Sequence, residues 1–336
     1  DATRTRARQL YEDNLFAAYS LRATTFHAFC QELLQRFPLE AGISPGFELV
    51  EATGQLEQQA WDSLINESSN RDHPVNSALD TLVEGCAGLP NTSTALRSFL
   101  SHRSDWWAYC QDQTDPVEHA GKQLQVLLAI EPDADPLGNF PNDIQRAQLK
   151  RFADLLTRNG LKKDLENAGQ LYAALEDALS GEQLYASIQE SFLTKAGTAR
   201  ARKSTDAQRK RLGDEADATF IELHQTFCAL LDDLSEQLAR IATYHNTLAW
   251  LTTGTRLLAA YQRIKQEQRL LDFSDLEWKA CELLNRDQHA SWVQYKLDTR
   301  IDHLLVDEFQ DTNPTQWRLL KPLLEELAAG NDDRAR

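Results

Sequence analysis

Methionine is missing altogether from this 336-residue chain, although Leu and Ala abound. Two readings stay open. The chain is an internal segment with unusual methionine usage, or methionines have dropped out of the sequence and some spacings are short by one residue. No apolar run approaches the roughly 18 residues of a membrane-crossing helix, so no membrane partner is expected. The first ten residues, DATRTRARQL, contain no apolar signal-peptide core. Cysteine is sparse: Cys30, Cys86, Cys110, Cys228 and Cys281 are odd in number and widely spaced, with no C-x-x-C pair. That pattern argues against a zinc site or an iron–sulfur cluster held by this chain alone. It suits reduced, mostly buried thiols of a cytoplasmic protein. Cations are also short, 35 against 51 acids for a net charge of −16, which argues against nucleic acid as a bulk electrostatic partner.

The charge is uneven. Between Lys195 and Arg211 stand Lys195, Arg200, Arg202, Lys203, Arg209, Lys210 and Arg211, with Asp206 the only acid. Such a run is either a solvated loop or a local phosphate-contacting patch, and charge alone favours the loop.

What is present is mostly helical pattern. Phe220, Leu223, Phe227, Leu230, Leu234, Leu238 and Ile241 follow the three-and-four spacing of one helix face. Leu248, Leu251, Leu258, Tyr261 and Ile264 suggest another helix, and Leu56, Ala60, Trp61, Leu64 and Ile65 a shorter one. The segments DTLVEGCAGL, LRSFLSHRSDWWAYC and KQLQVLLAI fit helices parted by turns, and Glu131–Asp143 is the clearest loop. Only Leu21–Thr25 and Ile301–Val306 have strand character. They lie near opposite chain ends with mainly helical sequence between them. The expected fold is mainly α: a partial α/β domain built from both ends, with a large helical insertion. The boundaries are residues 1–40 and 269–336 for the α/β part and 41–268 for the insertion.

Ile301–Val306 delivers two carboxylates, Asp307 and Glu308, followed by Gln310 and Asp311. In an open α/β sheet, ligands bind beyond the carboxyl ends of strands. A carboxylate pair there suits magnesium-assisted phosphoryl transfer, one group holding the metal through water and the other acting on the attacking water. A bare Asp-Glu pair is weak evidence, because acidic residues after strands often cap the next helix.

The full stretch D-E-F-Q-D-T-N, Asp307 to Asn313, resembles motif II, the Walker B element, of superfamily 1 helicases of the UvrD/Rep/RecB/AddA type. TTFHAFCQELLQRF is similar to the family's T-x-H segment, and LLDFSDLEWKACELL resembles its D-F-x-D-L segment through Asp272, Phe273, Asp275 and Leu276. RFPLEAGISPGFELVE and SFLTKAGTARARK look like AddA-type double-strand-break repair helicase–nucleases in particular. The resemblance covers about a quarter of the chain, mostly near its ends. It implies a RecA-like motor domain with a helical subdomain inserted before motif II. It implies Asp307 on Mg²⁺, Glu308 as catalytic base, and Gln310 linking the nucleotide site to DNA-contacting elements. Thr25, Phe26 and His27 would lie near single-stranded DNA. His27 is otherwise an ordinary helix-start histidine. The insertion would lie against duplex DNA at the junction, which evens the odds for the basic stretch, Lys195, Arg200, Arg202 and Lys203 included. ATP and Mg²⁺ are implied cofactors of the parent protein, with none expected tightly bound to this segment. A partner nuclease/helicase subunit of AddB type is implied as well.

The chain contains no G-x-x-x-x-G-K-[ST] phosphate cradle: its one Gly-Lys pair, Gly121-Lys122, is followed by Gln123 and has Pro116 where the first Gly belongs. In the family that loop precedes the T-x-H segment, and a G-D-x-x-Q segment, a second motor domain and, in AddA, a nuclease follow motif II. The expectation is an internal fragment of an ATP-dependent 3′-to-5′ helicase, with or without exonuclease activity, acting in recombinational double-strand-break repair and inactive alone. The alternative is a non-catalytic helical DNA- or protein-binding module with a helicase-like outline. A stand-alone nuclease using Asp307, Glu308 and Asp311 is weaker still, for want of a suitably spaced Lys. Of the aromatic residues, the adjacent Trp106 and Trp107 fit helix packing better than a base-stacking platform.

Overall fold

The structure is a computed structural model and describes residues 2–16, 23–68, 74–176, 179–285, 290–298 and 304–329. Helix accounts for 76% of it, more than twice the share in an average globular protein, so the fold is mainly α. In chain order the helices are α1 (Ala2–Phe16), α2 (Phe26–Arg36), α3 (Gly54–Ser68), α4 (Pro74–Gly85), α5 (Leu89–Ser101), α6 (Arg103–Cys110), α7 (Pro116–Leu128) and α8 (Asp143–Asn159). They continue with α9 (Lys162–Glu176), α10 (Gly181–Phe192), α11 (Asp206–Leu212), α12 (Asp214–Gln268), α13 (Phe273–Asn285), α14 (Ala290–Asp298) and α15 (Pro314–Ala329). Among the described residues the one sheet is a parallel pair, β1 (Glu48–Leu49) with β2 (Leu270–Leu271). The two runs read as strands, Leu21–Thr25 and Ile301–Val306, lie partly outside the described residues; the described parts, 23–25 and 304–306, are irregular.

The chain divides into two compact units, residues 1–112 with 252–336, and residues 113–251. Helix α12 contributes residues to both. The sequence suggests two helices in this region, but between Ile241 and Leu248 stands ATYHNT, which has no Gly or Pro to break the ladder, and the helix continues. The opposite difference occurs at LRSFLSHRSDWWAYC, where the helix is interrupted at His102 (φ −102°, ψ 16°), giving α5 and α6.

In the first unit, α13 packs against α2, α14 and α15 around Cys30, Leu33, Leu34, Leu276, Ala280, Leu284, Val293 and Leu319. Close packing also fixes Gly254 of α12: a Cβ there would meet the Phe99 ring at 2.8 Å. The start of α13 is held by charge. The Asp275 amide donates to Asp272 Oδ1 and the Asp272 amide to Asp275 Oδ2, both at 3.1 Å, which satisfies two N–H groups at the helix start reciprocally. Asp272 and Asp275 are both buried, and unpaired carboxylates would be costly there. Two buried cations offset them. Lys265 Nζ lies 2.9 Å from Asp272 Oδ2 and also bonds Asp275, while Arg103 bonds Asp272. Tyr261 Oη donates to Asp272 Oδ2 (2.7 Å) and Gln262 Nε2 to Asp275 Oδ1 (3.0 Å). Burial opposes the charged form of Asp272, but Arg103 and Lys265 outweigh it and hold its carboxyl below the usual carboxylate value.

In the second unit, α8 packs on α9 and α11, and α9 on α10. An aromatic core fills the centre: Phe152 stacks on Phe192 (4.8 Å between centroids) and Phe220 (5.0 Å), and Phe192 meets Phe227 (5.3 Å). His224 is buried beside Phe192, 5.6 Å between ring centroids. Burial, with a smaller contribution from Arg202, lowers its pKa from 6.5 to about 4, so at neutral pH it is an uncharged core residue.

Each unit yields a test. Lys265→Met leaves two buried carboxylates facing one cation and should cost about 3–5 kcal/mol, as breaking a buried pair does. Native-state amide exchange along α13 should show that loss of protection, and a cost under about 1 kcal/mol would contradict the account. For His224, the unfolded chain binds the proton more tightly than the folded one. Stability of the second unit should therefore rise between pH 4 and 6.5, by roughly 3 kcal/mol at most, and stay level above. Denaturant unfolding of the protein and of His224→Leu at pH 4.5 and 7.5 checks this, since the substitution should remove this pH dependence.

Candidate functional site

The site is built around Glu277, a buried side chain on α13. Its neighbours along the buried face are apolar: Leu276, Ala280, Cys281 and Leu284. A carboxylate in such a stripe must find donors, and it finds them on two other chain segments. His27 Nε2 on α2 lies 3.1 Å from Glu277 Oε1. Gln316 Nε2 on α15 donates to the same oxygen at 2.6 Å, and Asn313 Nδ2 donates to Oε2 at 3.1 Å.

Each donor is set by its own helix start. Thr25 caps α2, its hydroxyl oxygen accepting the Ala28 N–H at 3.2 Å. That turn holds His27 over Phe273, with ring centroids 4.5 Å apart, and leaves Phe26 partly packed on the core. Asn313 and Gln316 form a reciprocal cap on α15. The Gln316 N–H donates to Asn313 Oδ1 (2.8 Å) and the Asn313 N–H to Gln316 Oε1 (3.3 Å). The backbone-capping oxygens of both amides are thereby occupied, and their NH₂ groups face Glu277.

The acidic run precedes this cap. Asp307, Glu308, Phe309, Gln310 and Asp311 are all exposed, as is Leu305 at 86%. Glu308 adopts left-handed backbone (φ 49°, ψ 43°), uncommon for a residue with a side chain, and opens the short 3₁₀ turn Phe309–Asp311. Its N–H donates to Asp307 Oδ1 at 3.0 Å, and the Gln310 side-chain amide donates to its carboxylate. Asp307, Glu308 and Gln310 thus form one local cluster, and their oxygen donors suit a hard cation such as Mg²⁺ that keeps much of its water. Among the described residues no group of three or more His, Cys, Asp or Glu side chains could hold a metal by itself.

The basic residues belong to the second unit. Arg202 is turned inward: it pairs with Asp164 at 3.0 Å and lies over the Phe220 ring, 4.7 Å from its centroid. Arg200 donates to the backbone oxygens of Leu193 (2.7 Å) and Glu190 (2.8 Å). Lys195 and Lys203 are exposed. Contacts from Arg158 to the Leu212 carbonyl (3.2 Å) and from Arg211 to Asn159 (2.8 Å) bring the α8–α9 turn, with Lys162 and Lys163, beside the basic stretch.

Other expectations from the sequence fall out as packing. Trp107 lies against Trp278 (5.6 Å) and Trp106 against Phe99 (5.8 Å). All five cysteines are free; Cys30 and Cys281 are buried and the other three half-buried. Burial pushes the Cys30 thiol up to about 12 and the Cys281 thiol to about 11.

The sequence singles out His27 but passes over Glu277, Asn313 and Gln316 as site residues. The available signal was an acid interrupting the apolar face of LLDFSDLEWKACELL.

Residues 2–332 match the family model described as UvrD/REP helicase N-terminal domain. The chain is 25% identical over 338 residues to the A-type subunit of an ATP-dependent helicase/nuclease from Limosilactobacillus fermentum, covering 89% of this chain and 24% of that protein. It is 23% identical over 330 residues to the protein of the same name from Listeria monocytogenes, covering 89% and 25%. It is also 25% identical over 324 residues to that of Enterococcus faecalis, covering 88% and 25%. The chain therefore spans about a quarter of the length of the curated relatives it matches.

Proposed function

The chain belongs to the UvrD/REP helicase N-terminal domain family, and from that premise we propose that it is part of an ATP-driven 3′-to-5′ DNA motor of the AddA helicase–nuclease type, working with an AddB-like partner in double-strand-break repair. One observation carries the reading most. The T-x-H helix, the D-F-x-D-L helix and the helix after D-E-F-Q-D-T-N meet at one buried carboxylate, Glu277, although His27 and Gln316 stand at opposite ends of the sequence.

In this reading residues 41–268 are the helical insertion, with the second unit, 113–251, as its DNA-facing part, and residues 1–40 and 269–336 belong to a RecA-like motor domain. Asp307 would hold hydrated Mg²⁺. When bound, MgATP supplies the phosphoryl group whose transfer drives translocation. Glu308 would take the proton of the attacking water, and Gln310, bonded to Glu308, would link the nucleotide site to the DNA-contacting elements. Thr25, Phe26 and His27 face single-stranded DNA. Lys195 and Lys203, with Lys162, Lys163 and Lys210, contact duplex phosphates. Arg202 supports that surface from within through Asp164.

Two outcomes check this. A chain without a G-x-x-x-x-G-K-[ST] loop has no phosphate cradle, so this segment alone should release phosphate from ATP no faster than its Glu308→Gln variant. Release clearly above that control contradicts the assignment. Duplex DNA binding should weaken steeply with salt, and Lys195→Ala with Lys203→Ala should lower the slope of log K against log [salt] by about 0.9 for each phosphate no longer neutralised. Arg202→Ala should instead destabilise the second unit. A flat salt response would leave the exposed cations of the basic stretch as plain solvated surface.

A further inference from the structure

The geometry points to Glu277 as a positioning residue that couples the DNA-side segment to the acidic loop, an inference that rests on the motor reading above. Glu277 touches none of the reacting groups. It sits between two helix starts whose first turns lead directly to the groups that do. On one side His27 Nε2 approaches Oε1 at 3.1 Å, and His27 lies two residues past the cap Thr25. On the other, Gln316 Nε2 (2.6 Å) and Asn313 Nδ2 (3.1 Å) are the reciprocal cap of α15, reached from Asp307 and Glu308 through the single 3₁₀ turn.

Three features make this more than ordinary packing. The carboxylate is buried with no Lys or Arg partner among its described contacts, so its place depends on neutral or histidine donors drawn from both segments. Gln316 and His27 share one oxygen, so a shift of either helix start changes the bond available to the other. Glu277 itself cannot yield, because the start of its helix is locked by Asp272, Asp275, Lys265 and Arg103. A fixed carboxylate with one oxygen shared by donors from two segments ties the position of one donor to that of the other. Single-stranded DNA that moves His27 would shift the α15 cap and, through the short turn, the carboxylate of Glu308.

The test uses the full-length protein that carries this chain, with poly(dT) as the probe. Glu277→Leu should require on the order of tenfold more poly(dT) than the unsubstituted protein for half-maximal stimulation of ATP hydrolysis, the size of a typical coupling between sites. Glu277→Gln should behave similarly, because its NH₂ group would face the Asn313 NH₂ group, donor against donor. Adding Asn313→Asp to Glu277→Gln supplies an acceptor there and should restore the response, a rescue that general loss of packing does not predict. Amide exchange at Phe29 and Trp317, hydrogen-bonded in the two first turns, should rise together in Glu277→Leu. Exposure of only one, an unchanged poly(dT) requirement, or no rescue by Asn313→Asp overturns the proposal. An unsubstituted protein with no poly(dT)-stimulated hydrolysis sinks the motor reading instead. The exchange data then uphold or overturn the tie by themselves.

Discussion

Two carboxylates, Asp272 and Asp275, and two cations, Arg103 and Lys265, form a neutral buried cluster at the head of α13, and the candidate site depends on it. Such a cluster is weak as a source of stability, because desolvation offsets much of the attraction. Its value here is direction. The bonds are reciprocal and come from α6, α12 and α13, so α13 can start at one place and one rotation only. That rotation puts Phe273 under His27 and Glu277 between α2 and α15. The paired Asp residues of the D-F-x-D-L segment thus act as structural charges, and the acid one residue beyond Leu276 contacts the other motif segments.

The same economy of charge governs the helical unit. In a chain of net charge −16 an anion would be attracted only where cations are concentrated, and some of those cations are used internally. Arg202 holds Asp164 and the aromatic core, and Arg200 ties down the chain after α10. The exposed lysines are what remains for a partner. His224, kept neutral by burial, shows how little room that core leaves for a further positive charge near Arg202.

The legible part of this protein was its local pattern. Three-and-four spacing from Phe220 onward marked α12, the Glu131–Asp143 stretch was visibly a loop, and the D-E-F-Q-D-T-N and T-x-H segments could be picked out by resemblance. What escaped was relational. The apolar spacing falters between Ile241 and Leu248, which suggests a break, while the lack of Gly or Pro in ATYHNT is the sign that α12 continues past His245. Glu277 reads in the sequence as one more acid on a helix, whereas in the fold three donors from two other segments surround it. Arg202 counted as one of seven like charges; only packing separates it from Lys195 and Lys203. Contacts that span tens to hundreds of positions leave no periodic trace, and so periodicity could not find the carboxylate at the centre of the site.

The most direct measurement is a crystal structure of the motor proposed to carry this chain, with Mg²⁺ and a non-hydrolysable ATP analogue bound. The account predicts the Asp307 carboxylate in the hydration shell of the metal, Glu308 turned towards the terminal phosphate, and Glu277 holding both His27 and Gln316. A metal bound by other residues, with Asp307 and Glu308 left facing solvent, would contradict it.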